Sequence, residues 1–103
     1  MNRISQLEKK YVNEVLNNQF KTSKNNIYNN KLESAFSKKI NMPYSISHVN
    51  GTATMHTALA ALGVKEGDEV IVPPLTMSST SLAVLQNNSV PIFADVDINT
   101  FNI

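Results

Sequence analysis

Two short apolar runs, Val70–Ile71–Val72 and Val90–Pro91–Ile92–Phe93–Ala94, are held apart by a segment patterned as a helix, and this spacing constrains the fold most. Glu69 to Val72 reads as a strand because Gly67–Asp68 turns into it and Pro73–Pro74 must end it. Ser78 to Gln86 reads as a helix, stopped by Asn87–Asn88. A tight hairpin cannot join strands this far apart. A helical crossover can, and it makes them parallel. The same grammar runs upstream. Tyr44 to Val49 alternates as a strand, Asn50–Gly51 turns out of it, and Thr52 to Leu62 is alanine-rich and helical. Gly63 then stands where a left-handed residue commonly ends a helix. The order from Pro43 is therefore β-α-β-α-β, with strands expected near 45–49, 69–72 and 90–94 and helices near 52–62 and 78–87.

Two further helices precede this pattern. Ile4, Leu7, Tyr11, Val15 and Leu16 form one apolar stripe, so a helix is expected near 4–19. It should fade through Asn17 to Asn30, where asparagine side chains compete for backbone hydrogen bonds. A second helix is expected near 31–41, with Leu32, Phe36 and Ile40 on one side and Asn30 as its N-cap. The expected organisation is a helical lead-in over 1–42 and a βαβαβ segment over 43–103. Three parallel strands with an open edge make a poor independent domain, so the chain is expected to be truncated.

Composition excludes several classes. With 42% hydrophobic and 17% charged residues, the chain is no disordered polyelectrolyte. Cysteine is absent, which removes disulfides, thiolate metal sites and thiol nucleophiles. His48 and His56 are too few for a histidine metal centre. No apolar stretch reaches the ~18 residues of a membrane helix, and the opening MNRISQLEKKYVNEV has no signal-peptide core. A cytoplasmic protein is expected. Through residue 40, eight basic residues stand against three acidic ones, and afterwards one against five. Nucleic-acid binding leaves such a footprint, but aromatic interleaving and a recognisable motif are missing. The lysines read as a solvated helix face.

Two segments could carry chemistry. In His48–Val49–Asn50–Gly51–Thr52–Ala53–Thr54 a strand ends, a glycine turns, and a helix begins at a hydroxyl residue. Free N–H groups and the helix dipole there favour a phosphate, and Thr52 can add a hydroxyl donor. A plain turn with a cap explains the same residues. In the second, Thr76, Ser78, Ser79 and Thr80 follow a parallel strand, at the edge where α/β ligands collect. Capping of the next helix is the simpler account. Asp95 and Asp97 read as a solvated loop, and no triad or metal-ligand spacing is visible.

Taken in order, Val49–Asn50–Gly51–Thr52–Ala53, His56, Ala58 to Gly63, Gly67 to Pro73, Pro91 to Asp97 and Thr100 to Ile103 resemble the DegT/DnrJ/EryC1/StrS aminotransferase family. Leu32–Glu33 and Phe36 are similar to its acidic-aromatic helix, so the likeness covers roughly residues 30–103. The resemblance implies the N-terminal part of a fold-type-I, pyridoxal-phosphate-dependent large domain. It further implies nucleotide-linked keto-sugar substrates, an amino-acid amino donor and a homodimer. It puts Gly51, Thr52 and Ala53 at the cofactor phosphate. Met77 stands where the family presents an aromatic ring to the pyridine, and a thioether covers an aromatic face with different geometry. The family's Schiff-base lysine and pyridinium-binding acid match no residue of this chain. The expected function is thus the N-terminal portion of a sugar aminotransferase in amino-sugar biosynthesis. A PLP-dependent sugar dehydratase is a close variant, and a non-catalytic or partner-binding remnant is the alternative from another class.

Overall fold

The computed structural model describes residues 3–18 and 27–103. They form two compact units, Met1–Ser47 and His48–Ile103.

The first unit holds two helices, α1 (Gln6–Asn17) and α2 (Ile27–Ile40). A reciprocal capping box starts α1. The Glu8 N–H donates to Ser5 Oγ at 3.4 Å while the Ser5 N–H donates to the Glu8 carboxylate. The Ser5 N–H foremost, and then the Ser5 hydroxyl, hold the Glu8 carboxyl below its usual value. Asn18 ends the helix, its amide N–H and side chain both reaching the Glu14 carbonyl, at 3.1 and 2.9 Å. Side chains tie α1 to α2. Tyr11 meets Tyr28 edge-on at 6.5 Å, the Lys31 ammonium lies 5.8 and 5.2 Å from the two ring centres, and the Tyr28 hydroxyl donates to Glu14 at 3.0 Å. Desolvation, and then that bond to a carboxylate, raise the Tyr28 pKa. A shallow apolar groove of ≈ 580 Å³ runs beside them, lined by Val12, Val15, Leu16, Leu32 and Ala35.

Two expectations fail in this unit. Asn30 does not cap α2 but lies inside it, since the helix already runs from Ile27. The helix runs through Asn29 and Asn30 despite the weak helix preference of asparagine. The expected fading falls partly on residues 19–26, outside the described residues. The second failure is larger: residues 45–49 form no strand. The segment is tied to α2 instead. Ser37 Oγ donates to Ser45 Oγ at 2.8 Å, and the N–H and hydroxyl of Ser47 both donate to the Glu33 carboxylate at 2.8 Å. Alternation survives as facing, with Ser45 and Ser47 half-buried while Tyr44 is 85% exposed. A strand is defined by its ladder, and no described strand pairs with this segment.

The second unit is a β-α-β crossover with one helix in front. It comprises α3 (Gly51–Ala61), β1 (Glu69–Val72), α4 (Ser79–Leu85) and β2 (Val90–Phe93). The strands pair in parallel, Glu69 opposite Val90 through Val72 opposite Phe93, as the spacing requires. An Ala94 N–H to Val72 carbonyl bond at 3.1 Å continues the ladder one residue further. The amides of Val90 and Ala94 both face β1, so by alternation the nitrogen of Pro91 faces away and no ladder donor is lost. α4 packs on both strands and on α3, and Val72, Ala83 and Val84 form the buried core. Gly63, at φ 84°, ends α3 in a Schellman motif. The Val64 N–H reaches the Leu59 carbonyl at 3.1 Å and the Gly63 N–H reaches Ala60 at 3.0 Å.

Candidate functional site

Loop contacts in the second unit fix which way its helices point. The Ser89 hydroxyl donates to the Lys65 carbonyl at 2.7 Å, the Gly67 N–H to Asn88 at 3.1 Å, and the Val90 N–H to Asp68 at 2.8 Å. The loops that leave α3 and α4 therefore meet at the edge where β1 and β2 begin. α4 joins the end of β1 to the start of β2, so it starts at the opposite edge, where the strands end and parallel sheets collect ligands, and Thr76–Thr80 lie there. α3 packs on α4, and Asn50–Ala53 lie at the end of α3 away from the Lys65 loop.

At the start of α3 the chain builds a helix N-terminus with unspent donors. The N-cap is Asn50, and Gly51 is the first helical residue, so the expected start at Thr52 is one position late. Asn50 Oδ1 accepts the Ala53 N–H at 2.8 Å, and its carbonyl accepts the Thr54 N–H and hydroxyl at 3.2 and 3.1 Å. The amides of Gly51 and Thr52 meet no acceptor among the described residues. No acidic side chain lies in the first turn, so the positive end of the dipole is uncompensated. A Cβ placed on Gly51 meets no atom within 4 Å, so the space beside the turn is open. His48 Nε2 lies 3.1 Å from Thr57 Oγ1, which ties the incoming chain to the first turns of the helix.

The Met77 side chain is 77% exposed, and its carbonyl accepts the Thr80 N–H at 3.2 Å as α4 begins. Ser78 is the N-cap residue, yet it makes no side-chain cap bond, so the simple capping account of these hydroxyls fails for it. Asp97 is spent on its own turn. It accepts from the Thr100 and Asn99 amides at 2.8 and 2.9 Å, which lowers its pKa. Asp95 accepts from the neighbouring Val96 N–H at 2.8 Å. Lys65, the lysine this unit carries, lies in the loop at the far edge from Gly51. No cluster able to hold a metal ion occurs among the described residues. No helix among them is long and apolar enough to cross a membrane.

Comparison with known proteins gives these features a setting. The chain matches the description "DegT/DnrJ/EryC1/StrS aminotransferase family" over residues 2–103. It is 44% identical over 94 residues to a GDP-perosamine synthase of Escherichia coli O157:H7, covering 91% of this chain and 26% of that protein. A solved aminotransferase from Psychrobacter cryohalolentis superposes with a TM-score of 0.81 at 31% identity, over 93% of this chain and 24% of that one. The E. coli GDP-4-keto-6-deoxy-D-mannose-3-dehydratase, solved with bound hydrated PLP, superposes at 0.80 and 29% identity, over 100% of this chain and 28% of that one. The chain spans about a quarter of the length of the curated relatives it matches.

Proposed function

The chain belongs to the DegT/DnrJ/EryC1/StrS aminotransferase family, and from that membership we propose that it forms the phosphate-holding N-terminal portion of a pyridoxal-phosphate-dependent aminotransferase. Its substrates are nucleotide-linked keto-sugars with an amino-acid amino donor, in amino-sugar biosynthesis. The observation that carries the proposal is the pair of unspent amides, Gly51 and Thr52, at the start of α3. They suit the phosphate end of the cofactor by donor chemistry, and the open space at Gly51 admits it.

When bound, pyridoxal phosphate supplies the electron sink that makes exchange of an amine for a carbonyl oxygen feasible. This chain's residues bind and orient. The Gly51 and Thr52 amides and the Thr52 hydroxyl hold the phosphate by charge-assisted hydrogen bonds. Ala53 contributes its small side chain, since its N–H is already taken by Asn50. Met77, exposed at the start of α4, would cover the face of the pyridine ring. The family's lysine and acid match no residue of this chain, and Lys65 follows the end of α3 opposite to Gly51, so both would come from elsewhere in the assembled enzyme. The domain reading follows: residues 1–42 lead in, and 43–103 begin a large cofactor domain. A cytoplasmic homodimer completes the proposal. The solved dehydratase, aligned over 100% of this chain, supports a sugar 3-dehydratase as the second reading.

The test is an amide-resolved titration of the protein with pyridoxal phosphate. The Gly51 and Thr52 N–H resonances are expected to move first and most, with inorganic phosphate reproducing the shift. Shifts confined to other residues would sink the proposal.

A further inference from the structure

The two units carry opposite charge. Residues 1–47 hold eight basic side chains against three acidic ones, and residues 48–103 one against five. In the first unit no Cα of α1 comes within 8 Å of one in α2. The apolar groove between these helices therefore stays open, and Val12, Leu16 and Leu32 in its walls are half or more exposed. Lys31 and Lys38, seven residues apart on α2, share a face with the wall residue Ala35. Neither lysine meets a carboxylate among the described residues.

The second unit presents the complement. After β2 the chain closes a small loop on itself. The Asp97 N–H donates to the Asn102 carbonyl at 2.9 Å, and the Phe101 N–H to the Asp97 carbonyl at 2.8 Å. The Asp97 carboxylate takes the Asn99 and Thr100 amides. Phe101 is held at φ 58°, a region bulky residues rarely enter, and it is 60% exposed beside Ile98 at 82%. An apolar knob is thus held out in fixed shape by a loop that carries Asp95 and Asp97 and no cation.

We infer that this loop of one copy docks in the α1–α2 groove of a second copy, with Ile98 and Phe101 between the helices and Asp95 and Asp97 facing Lys31 and Lys38. The inference names a contact for the homodimer proposed above and rests on that self-association. Groove-to-groove pairing would set like charges against each other, whereas the loop brings the opposite charge. Its shape is already fixed, so docking costs little conformational freedom. The two surfaces differ, and each copy offers one of each.

The chain has no cysteine, so single introduced thiols report the contact between whole chains cleanly. Val12→Cys puts a thiol in the groove and Ile98→Cys one beside the knob, and the two proteins are mixed and air-oxidised. In the control, Tyr44→Cys, at a residue 85% exposed and outside both surfaces, replaces Val12→Cys. The mixed disulfide is expected to form roughly tenfold faster than in the control, and to lose part of that lead in ~1 M salt. Phe101→Gly, added to the Ile98→Cys partner, keeps the left-handed turn and is expected to bring the rate down to the control. Asp95→Lys in the same partner should slow the reaction, and Lys38→Glu in the other should restore it. A mixed disulfide no faster than the control overturns the inference, as does one that Phe101→Gly leaves unchanged. Preferential pairing of Val12→Cys with itself overturns it too, because the groove then meets a second groove. A protein that self-associates without the mixed disulfide keeps the homodimer and loses only this contact. One that sediments as a monomer at every concentration loses both.

Discussion

The smallest scale at which the site can be questioned is one atom. Thr52→Val exchanges a hydroxyl for a methyl of nearly the same shape, so α3 keeps its packing while the phosphate loses one charge-assisted donor. Such a bond is worth about 1.5–3 kcal/mol, and pyridoxal phosphate is expected to bind roughly 10- to 100-fold more weakly in a spectral titration. Gly51 asks a complementary question. Its φ is not in the left-handed region and a Cβ there meets nothing within 4 Å, so Gly51→Ala has no structural obstacle. At a helix position alanine is the better residue by up to ~1 kcal/mol. The expected outcome is an unchanged or raised Tm together with weaker phosphate retention, because the methyl enters the space beside the free amides. A variant that loses stability, or binds phosphate undiminished, contradicts this account of Gly51. Residue types made the turn legible, but not its division of labour. Asn50–Gly51 reads as a turn, and that reading concealed the cap, though an asparagine three residues before Ala53 is itself a cap signal.

At the scale of elements, the local signals and the non-local ones part company. Glu69–Val72 lies where the sequence puts it because its start and stop are punctuated by residues on either side, Gly67 at φ 84° and then Pro73. The end of α3 is equally local, fixed by Gly63. Residues 45–49 carry a strand's alternation yet form no strand, since pairing depends on a partner that local sequence cannot supply. The polar half of that alternation finds Glu33 and Ser37 of α2 instead. The N-terminus of α1 is a local device with a pH signature. The carboxyl of Glu8 titrates below its usual value because the Ser5 N–H and hydroxyl favour its charged form. A lowered pKa stabilises the fold fully above the ordinary glutamate value of about 4.3, and the contribution is lost as pH falls through the lowered value. Helical signal from α1 is therefore expected to fray on acidification. Glu8→Gln should remove that pH dependence while retaining part of the cap, read by amide hydrogen exchange at Gln6 to Lys9. Fraying that persists unchanged in Glu8→Gln would locate the titrating group elsewhere.

For the molecule as a whole, the second unit has one covered sheet face and one bare one. α4 covers the side of Val72, whereas on the other face Ile71 is 66% and its partner Ile92 38% exposed. Parallel sheets are stable when both faces are covered, so this bare face needs a neighbour. In the protein alone the available neighbour is another copy, reached through the apolar face or through the unpaired strand edges. Self-association that rises with concentration is expected in sedimentation experiments on residues 1–103. Fully burying an isoleucine side chain is worth about 1.5–3 kcal/mol. Ile71→Lys should therefore weaken association by about tenfold or more, with the parallel pair intact because the side chain points away from α4. The same protein is expected to turn over no keto-sugar with pyridoxal phosphate and an amino donor, since Lys65 occupies the edge remote from Gly51 and Thr52. A cooperative monomeric melt indifferent to Ile71→Lys would mean that the bare face needs no cover. Specific turnover would require one of the lysines before Ser47 to reach the phosphate edge, and replacing each of them in turn would identify it.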